Sequence, residues 1–216
     1  MTTVFIGGSR RIARLDKDIK FRADNIIRQR MRVLIGDANG ADKAMQQYFM
    51  NSKYDNIVVY CMGEDCRNNL GDWPVRHIVS GRNGRDFAYY AKKDLEMAKE
   101  ASYGFMIWDG KSKGTLNNIL NLLQQQKKVL VYFSPDKVCY ALSSVNDMRQ
   151  SFGKYSFINW NKLEKELSPY RRDVTEELCL NLFSQQFPKQ PSSRSADVPH
   201  TIVASVGWLL SVGMKM

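Results

Sequence analysis

Three short turns hold most of the chemistry this chain could perform. Each follows a brief apolar run: Gly7-Gly8-Ser9 after Val4-Phe5-Ile6, Gly36-Asp37-Ala38 after Val33-Leu34-Ile35, and Asp109-Gly110 after Phe105-Met106-Ile107-Trp108. Glycine in such a turn lets a ligand approach the backbone closely. Gly114-Thr115 stands just before a helical stretch. The amide groups and dipole of a helix start attract an anion, and the Thr115 hydroxyl adds a donor. A plain turn with an N-cap accounts for the same two residues without a ligand.

The carboxylates Asp37, Asp42 and Asp109 sit at or near these turns. Such groups can hold a ribose through its hydroxyls, or act as a pair on a glycosidic bond. They are the candidate catalytic residues. Asp42 equally suits a helix start, and Asp109 an Asx-turn. Arg10 and Arg11 follow the first glycines directly, where a guanidinium fork can clamp a phosphate in bidentate fashion. Arg82 and Arg85, flanking Gly84, form a second pair. The candidate ligand contacts are therefore Gly7, Gly8, Ser9, Arg10, Gly36, Asp37, Ala38, Asp42, Arg85, Asp109, Gly110, Gly114 and Thr115. Trp108, at a run's end, is a candidate to face a ligand ring.

Other chemistries lack their residues. His77 and His200 are isolated, and Cys61, Cys66 and His77 fit no common zinc spacing. No metal and no cofactor is expected. A Gly-x-x-x-x-Gly-Lys-Ser/Thr loop is absent, as is a Gly-x-Ser-x-Gly elbow.

These turns need elements that bring them together. The runs already named, with Ile57-Val58-Val59-Tyr60 and Val129-Leu130-Val131-Tyr132-Phe133, are β-branched or aromatic and do not alternate. Strands of that kind are buried on both faces of a parallel sheet. Between them lie helical patterns: roughly 16–31 with Ile19, Ile26 and Ile27; a helix after Gly40 carrying Ala41, Ala44, Met45, Tyr48 and Phe49; about 86–101 with Tyr90, Leu95 and Ala98 inward; and one running through about Gln126. Residues 63–84 show no period and are expected to form a long loop. The fold class is α/β: an open doubly wound, mostly parallel five-stranded sheet with a helical C-terminal extension. Right-handed crossovers then align the strand C-terminal ends along one edge, turns included.

Residues 1–140 are expected to form the nucleotide-binding domain, and residues 141–216 a mainly helical extension. Residues 160–184 carry one or two helices, and 185–200, rich in Pro, Ser and Gln, read as a linker. The apolar stretch Ile202 to Met214 is shorter than the roughly 20 residues of a spanning helix. It suits docking on the domain or on a second copy, as in a homo-oligomer, rather than a membrane.

Of the 216 residues, 44% are apolar and 25% charged, which suits a packed core and excludes wholesale disorder. Lys plus Arg total 32 against 22 Asp plus Glu, a net charge of +10. That balance favours phosphate-bearing partners. Many of the cations fall between Arg10 and Arg32. One face of a helix there suits a nucleic-acid backbone, although Phe21 is the one aromatic nearby for base stacking. Cys61, Cys66, Cys139 and Cys179 match no dense disulfide framework, so free thiols and a cytoplasmic location are expected.

The run Val33-Leu34-Ile35-Gly36-Asp37-Ala38-Asn39-Gly40-Ala41-Asp42 resembles an element of the Rossmann-like superfamily that includes DprA, Lonely Guy and YpsA-type proteins. Phe105 through Gly110, followed by Gly114-Thr115, resembles its second element, and Phe5-Ile6-Gly7-Gly8-Ser9-Arg10 its first strand end. The resemblance covers about residues 1–135. It implies a Rossmann-like fold and a nucleotide or nucleotide-derived ligand, with N-glycosidic cleavage in some members and in the related nucleoside deoxyribosyltransferases. Hydrolytic members follow Gly-Thr with a Glu two or three residues on; here Asn117 and Asn118 stand there. A carboxamide is neither nucleophile nor base at neutral pH. The expected function is therefore nucleotide binding, as a sensor or a weak hydrolase. The alternative is nucleic-acid binding through a basic surface, as in the DprA branch.

Overall fold

The computed structural model describes residues 2–79 and 86–167. In chain order the elements are β1 (Thr3–Gly8), α1 (Lys17–Arg28), β2 (Arg32–Gly36), α2 (Ala41–Asn51), β3 (Ile57–Met62) and β4 (Val75–Ile78). There follow α3 (Phe87–Glu100), β5 (Tyr103–Trp108), α4 (Lys113–Gln124), β6 (Val129–Phe133), β7 (Val138–Leu142), α5 (Val145–Phe152) and α6 (Trp160–Leu167).

The strands form one seven-stranded sheet in the order β4-β3-β2-β1-β5-β6-β7. All neighbours are parallel except β7, which returns antiparallel along β6. The α/β, doubly wound, mostly parallel architecture is as the sequence predicts, but the sheet has seven strands rather than five. Both additional strands are edges. β4 lies inside the segment expected to be a long loop; its Arg76 and His77 are exposed, so it carries little apolar signal. β7 is mostly half-exposed, with Leu142 its one buried residue.

The central strands are buried on both sides because alternate residues enter two separate cores. Phe5, Leu34, Met106 and Val131 face α3, α4 and α5. Val4, Ile6, Val33, Ile35, Phe105 and Ile107 face α1 and α2. The chain leaves β1 for β2 on one side and later enters β5 on the other. The loops after β1 and β5 therefore diverge to opposite faces, and a crevice opens between them at the strand ends.

Four local expectations change. Cys61 and Cys66 form a disulfide, with Cα atoms 5.2 Å apart, where free thiols were expected. β3 ends at Cys61-Met62 and the chain turns back at once, which brings Cys66 alongside; Cys139 is free. Leu95 is exposed; Ala98 is buried as expected, and Lys93 and Met97 join it on the inward face of α3. Trp108 faces no crevice, being fully buried among Phe133, Phe152 and Trp160. α4 starts at Lys113 with Ser112 as its N-cap, so Gly114 and Thr115 lie inside its first turn rather than ahead of it.

Arg82, Arg85, Cys179, His200, the 185–200 linker and the Ile202–Met214 stretch lie outside the described residues. α6 is described as far as Leu167. Among the described residues no helix is long and apolar enough to cross a membrane.

Candidate functional site

A cleft of about 980 Å³ opens at the C-terminal ends of β1 and β5. Ten of the predicted positions line it: Gly7, Gly8, Ser9, Arg10, Ala38, Asp42, Asp109, Gly110, Gly114 and Thr115. Gly36 and Asp37 do not line it. Turns about 100 residues apart in sequence thus share one wall.

Ser9 ties these turns together. Its amide donates to the Ile107 carbonyl (2.9 Å), its carbonyl accepts from the Ala41 amide (3.1 Å), and its hydroxyl donates to Asp109 Oδ2 (2.9 Å). Asp109 Oδ1 accepts from the amides of Lys111 and Ser112 at 3.0 and 2.8 Å. Both oxygens of Asp109 are therefore held by the protein, and it serves as the Asx-turn that shapes the approach to α4.

The glycines play a different part from the one their type suggests. A Cβ on Gly8 would meet the Ile107 carbonyl and Ala41 Cβ, each at 2.6 Å. One on Gly36 would meet Asp42 Oδ2 at 2.6 Å and Lys93 Nζ at 2.8 Å. These glycines make room for the protein's own atoms. Gly114 alone among the predicted positions faces open space, with nothing within 4 Å of a Cβ. Thr115 is buried, and its hydroxyl donates to Ser112 Oγ at 3.1 Å.

Arg67, Lys93, Asp94 and Asp42 line the cleft as a group of charges, and Asp37, outside the lining, is bonded to Arg67. Asp37 accepts from Arg67 through two bonds to the guanidinium, 2.9 Å from Nε and 2.5 Å from Nη2, and through a third from the Arg67 amide at 3.1 Å. Burial pushes the Asp37 carboxyl up, but Arg67 and the Lys93 charge outweigh it and hold the group below its ordinary value. Arg67 in turn lies over the Tyr90 ring at 4.6 Å. Lys93 is buried, 2.7 Å from Asp94 and 4.0 Å from Asp37. Burial disfavours its charge, yet Asp94 and Asp42 hold it protonated, above the usual lysine value. Asp42 has one weak bond, from the Ala38 amide at 3.3 Å. Burial raises its carboxyl to about 7 even with Lys93 nearby.

Asn118, on the inner side of α4, also lines the cleft. It is only 6% exposed, and its buried Oδ1 has no hydrogen-bond partner among the described residues. An orphaned carbonyl of this kind costs about 1–3 kcal/mol unless something supplies a donor.

Of the three carboxylates read as candidates, only Asp42 thus remains available to a ligand. Arg67, Lys93, Asp94 and Asn118 were not among the predicted contacts. Lys93 stands among the charges Lys92, Asp94 and Glu96, and nothing local marks it as buried. Arg67 falls in the segment read as loop. Asn118 stands out in the sequence only as a departure from the hydrolytic pattern. Among the described residues no cluster of His, Cys, Asp and Glu could hold a metal.

No family model matches the chain, and no curated protein matches it. A solved structure similar to it is that of DNA processing protein A from Helicobacter pylori, described for its single-stranded DNA binding mode. The alignment covers 78% of this chain and 81% of that one, at 13% identity and a TM-score of 0.48. A likeness of this size bears on neither ligand nor partner.

Proposed function

We propose that this cleft binds a nucleotide or nucleotide-derived small molecule. The observation that carries the reading is the mixed lining of one cleft. The first turn of α4 lines it, with Gly114 open to a close approach and Lys111 and Lys113 next to it in the chain. That turn suits a phosphate. Asp42, Lys93 and the unpartnered carbonyl of Asn118 line the same cleft and suit the hydroxyls of a sugar. Site residues for this reading are Gly7, Ser9, Arg10, Asp42, Gly114 and Asn118.

Binding without turnover is the better-supported form. Asp37 and Asp109 are held by Arg67 and by the Asp109–Ser112 turn, and a carboxamide stands where hydrolytic relatives carry Glu. A weak N-glycosidic hydrolase would have to work through Asp42, whose carboxyl is partly protonated near neutrality. Titration calorimetry with the four ribonucleoside monophosphates, followed by chromatography for free base, tests both forms. Heat without released base supports a sensor. Released base that Asp42→Asn abolishes supports the hydrolase. No heat with any nucleotide overturns the reading.

A second reading is carried by charge: the chain is +10, and Arg10, Arg11, Lys111, Lys113 and Lys162 all line the cleft. A single-stranded nucleic acid would place its backbone there. It predicts oligonucleotide affinity that falls steeply with salt, whereas one mononucleotide contact gives a shallow slope.

A further inference from the structure

We infer that Phe157 is the base-stacking platform of the cleft, with a nucleobase lying on its outer face. The inference rests on the nucleotide reading above and adds a residue and a subsite to it.

Phe157 lies outside the stretch that resembles any known motif, in the turn between α5 and α6. Two features of that turn fix it. The Ile158 amide donates to the Tyr155 carbonyl (3.1 Å), and Ile158 is buried. Phe157 cannot follow Ile158 inward. Its ring lies nearly parallel to Phe133, at 13° and 6.1 Å between centroids, and 5.5 Å from Tyr155. One face is therefore backed by a rigid aromatic cluster. Phe157 nonetheless stays 45% exposed, while Phe133 and Phe152 beneath it are fully buried, and it lines the cleft.

Gly110 binds this ring to the rest of the site. It has φ of +73°, and a Cβ there would stand 3.0 Å from Phe157 Cε2 and 3.2 Å from Phe133 Cε2. The ring thus rests on the turn that leads, four residues on, to Gly114 at the open end of α4. A base on Phe157 and a phosphate at α4 would be joined across a single short turn. Trp108, the other aromatic at this strand end, is unavailable: it is buried, and its indole N–H donates to the Ser112 carbonyl at 3.1 Å. An exposed flat ring, backed on one side and adjoining a phosphate-accepting turn, fits a planar base.

The test uses the full chain and compares AMP with ribose 5-phosphate, which keeps sugar and phosphate but lacks a base. Removing a stacking ring weakens binding by about 1–3 kcal/mol per base, or roughly 5- to 150-fold. Phe157→Ala should weaken AMP by about tenfold and leave ribose 5-phosphate unchanged. Phe157→Tyr should retain AMP affinity. Phe157→Leu, which restores apolar bulk without a flat face, should behave like Phe157→Ala. AMP affinity that survives in Phe157→Ala overturns the platform and leaves the nucleotide reading standing. So does equal weakening of both ligands, or full rescue by Leu. Failure of AMP and of the other ribonucleoside monophosphates to bind the unaltered protein overturns the nucleotide reading itself, and the platform with it.

Discussion

Asp42 lines the cleft near a lysine and two other carboxylates, and burial lifts its carboxyl to about 7. An unfolded aspartate titrates near about 4. Between those values the folded chain holds a proton that the unfolded chain releases. The resulting stabilisation is complete below about pH 4 and is lost as the pH rises through 7. Asp42→Asn keeps the shape and can still accept from the Ala38 amide, but it cannot ionise. We expect the variant to match the parent at pH 4 and to melt higher at pH 8. For a chain of this size the rise is about 2–4 °C for each kcal/mol recovered. Thermal melts across that range check it, and parallel profiles would refute it. The contrast with Asp37 explains what sequence could and could not say. Both aspartates belong to one motif, and both read as ligand contacts. Only the fold shows that Asp37 is taken by Arg67 from a segment thirty residues away. Arg67→Met should therefore cost about 2–3 kcal/mol in urea melts. That is less than for a wholly buried pair, because the Arg67 side chain is 37% exposed.

At the scale of elements, the glycine turns were legible and their purpose was not. A glycine after an apolar run marks a strand end whatever fills the space beside it. At Gly8 the space is filled by α2 and β5, so Gly8→Ala should destabilise by about 1–3 kcal/mol through overpacking. Gly114→Ala should cost nothing and raise stability by up to about 1 kcal/mol, since its Cβ would meet nothing and alanine favours the helix. Paired denaturant melts distinguish a packing glycine from one that leaves a ligand room; an equal cost at both positions would undo the distinction. The five central strands were readable because burial on both faces demands unbroken apolar runs. The edge strands β4 and β7 were not, because one side of each is wet and its sequence is accordingly mixed. Lys93 was hidden for a related reason. Helical spacing shows which residues share a face, but not that a lysine on an apolar face has Asp37 and Asp42 waiting beyond the end of β2, besides its neighbour Asp94.

Across the whole molecule, one core continues past the sheet. Met148, Phe152 and Ile158 are buried against β5 and β6, and Phe152 stands 5.2 Å from Trp108. A unit ending at residue 140 would lack all three. At about 1.5–3 kcal/mol for each buried side chain, that loss is comparable with the whole net stability of a domain. A chain cut after residue 140 should therefore show no cooperative melt at 25 °C, whereas one cut after residue 167 should retain it. Cooperative folding of the shorter chain would make the first 140 residues a domain in their own right. By itself the sequence determined the five central strands and the helices between them, the doubly wound class and the turns that meet at its edge. Hydrophobic periodicity and glycine are local signals, and parallel sheets leave few ways to arrange them. Tertiary structure alone decided which aspartate stays available, which lysine is buried and which aromatic ring is left uncovered. Each of those outcomes depends on contacts between segments distant in sequence, which no local pattern records.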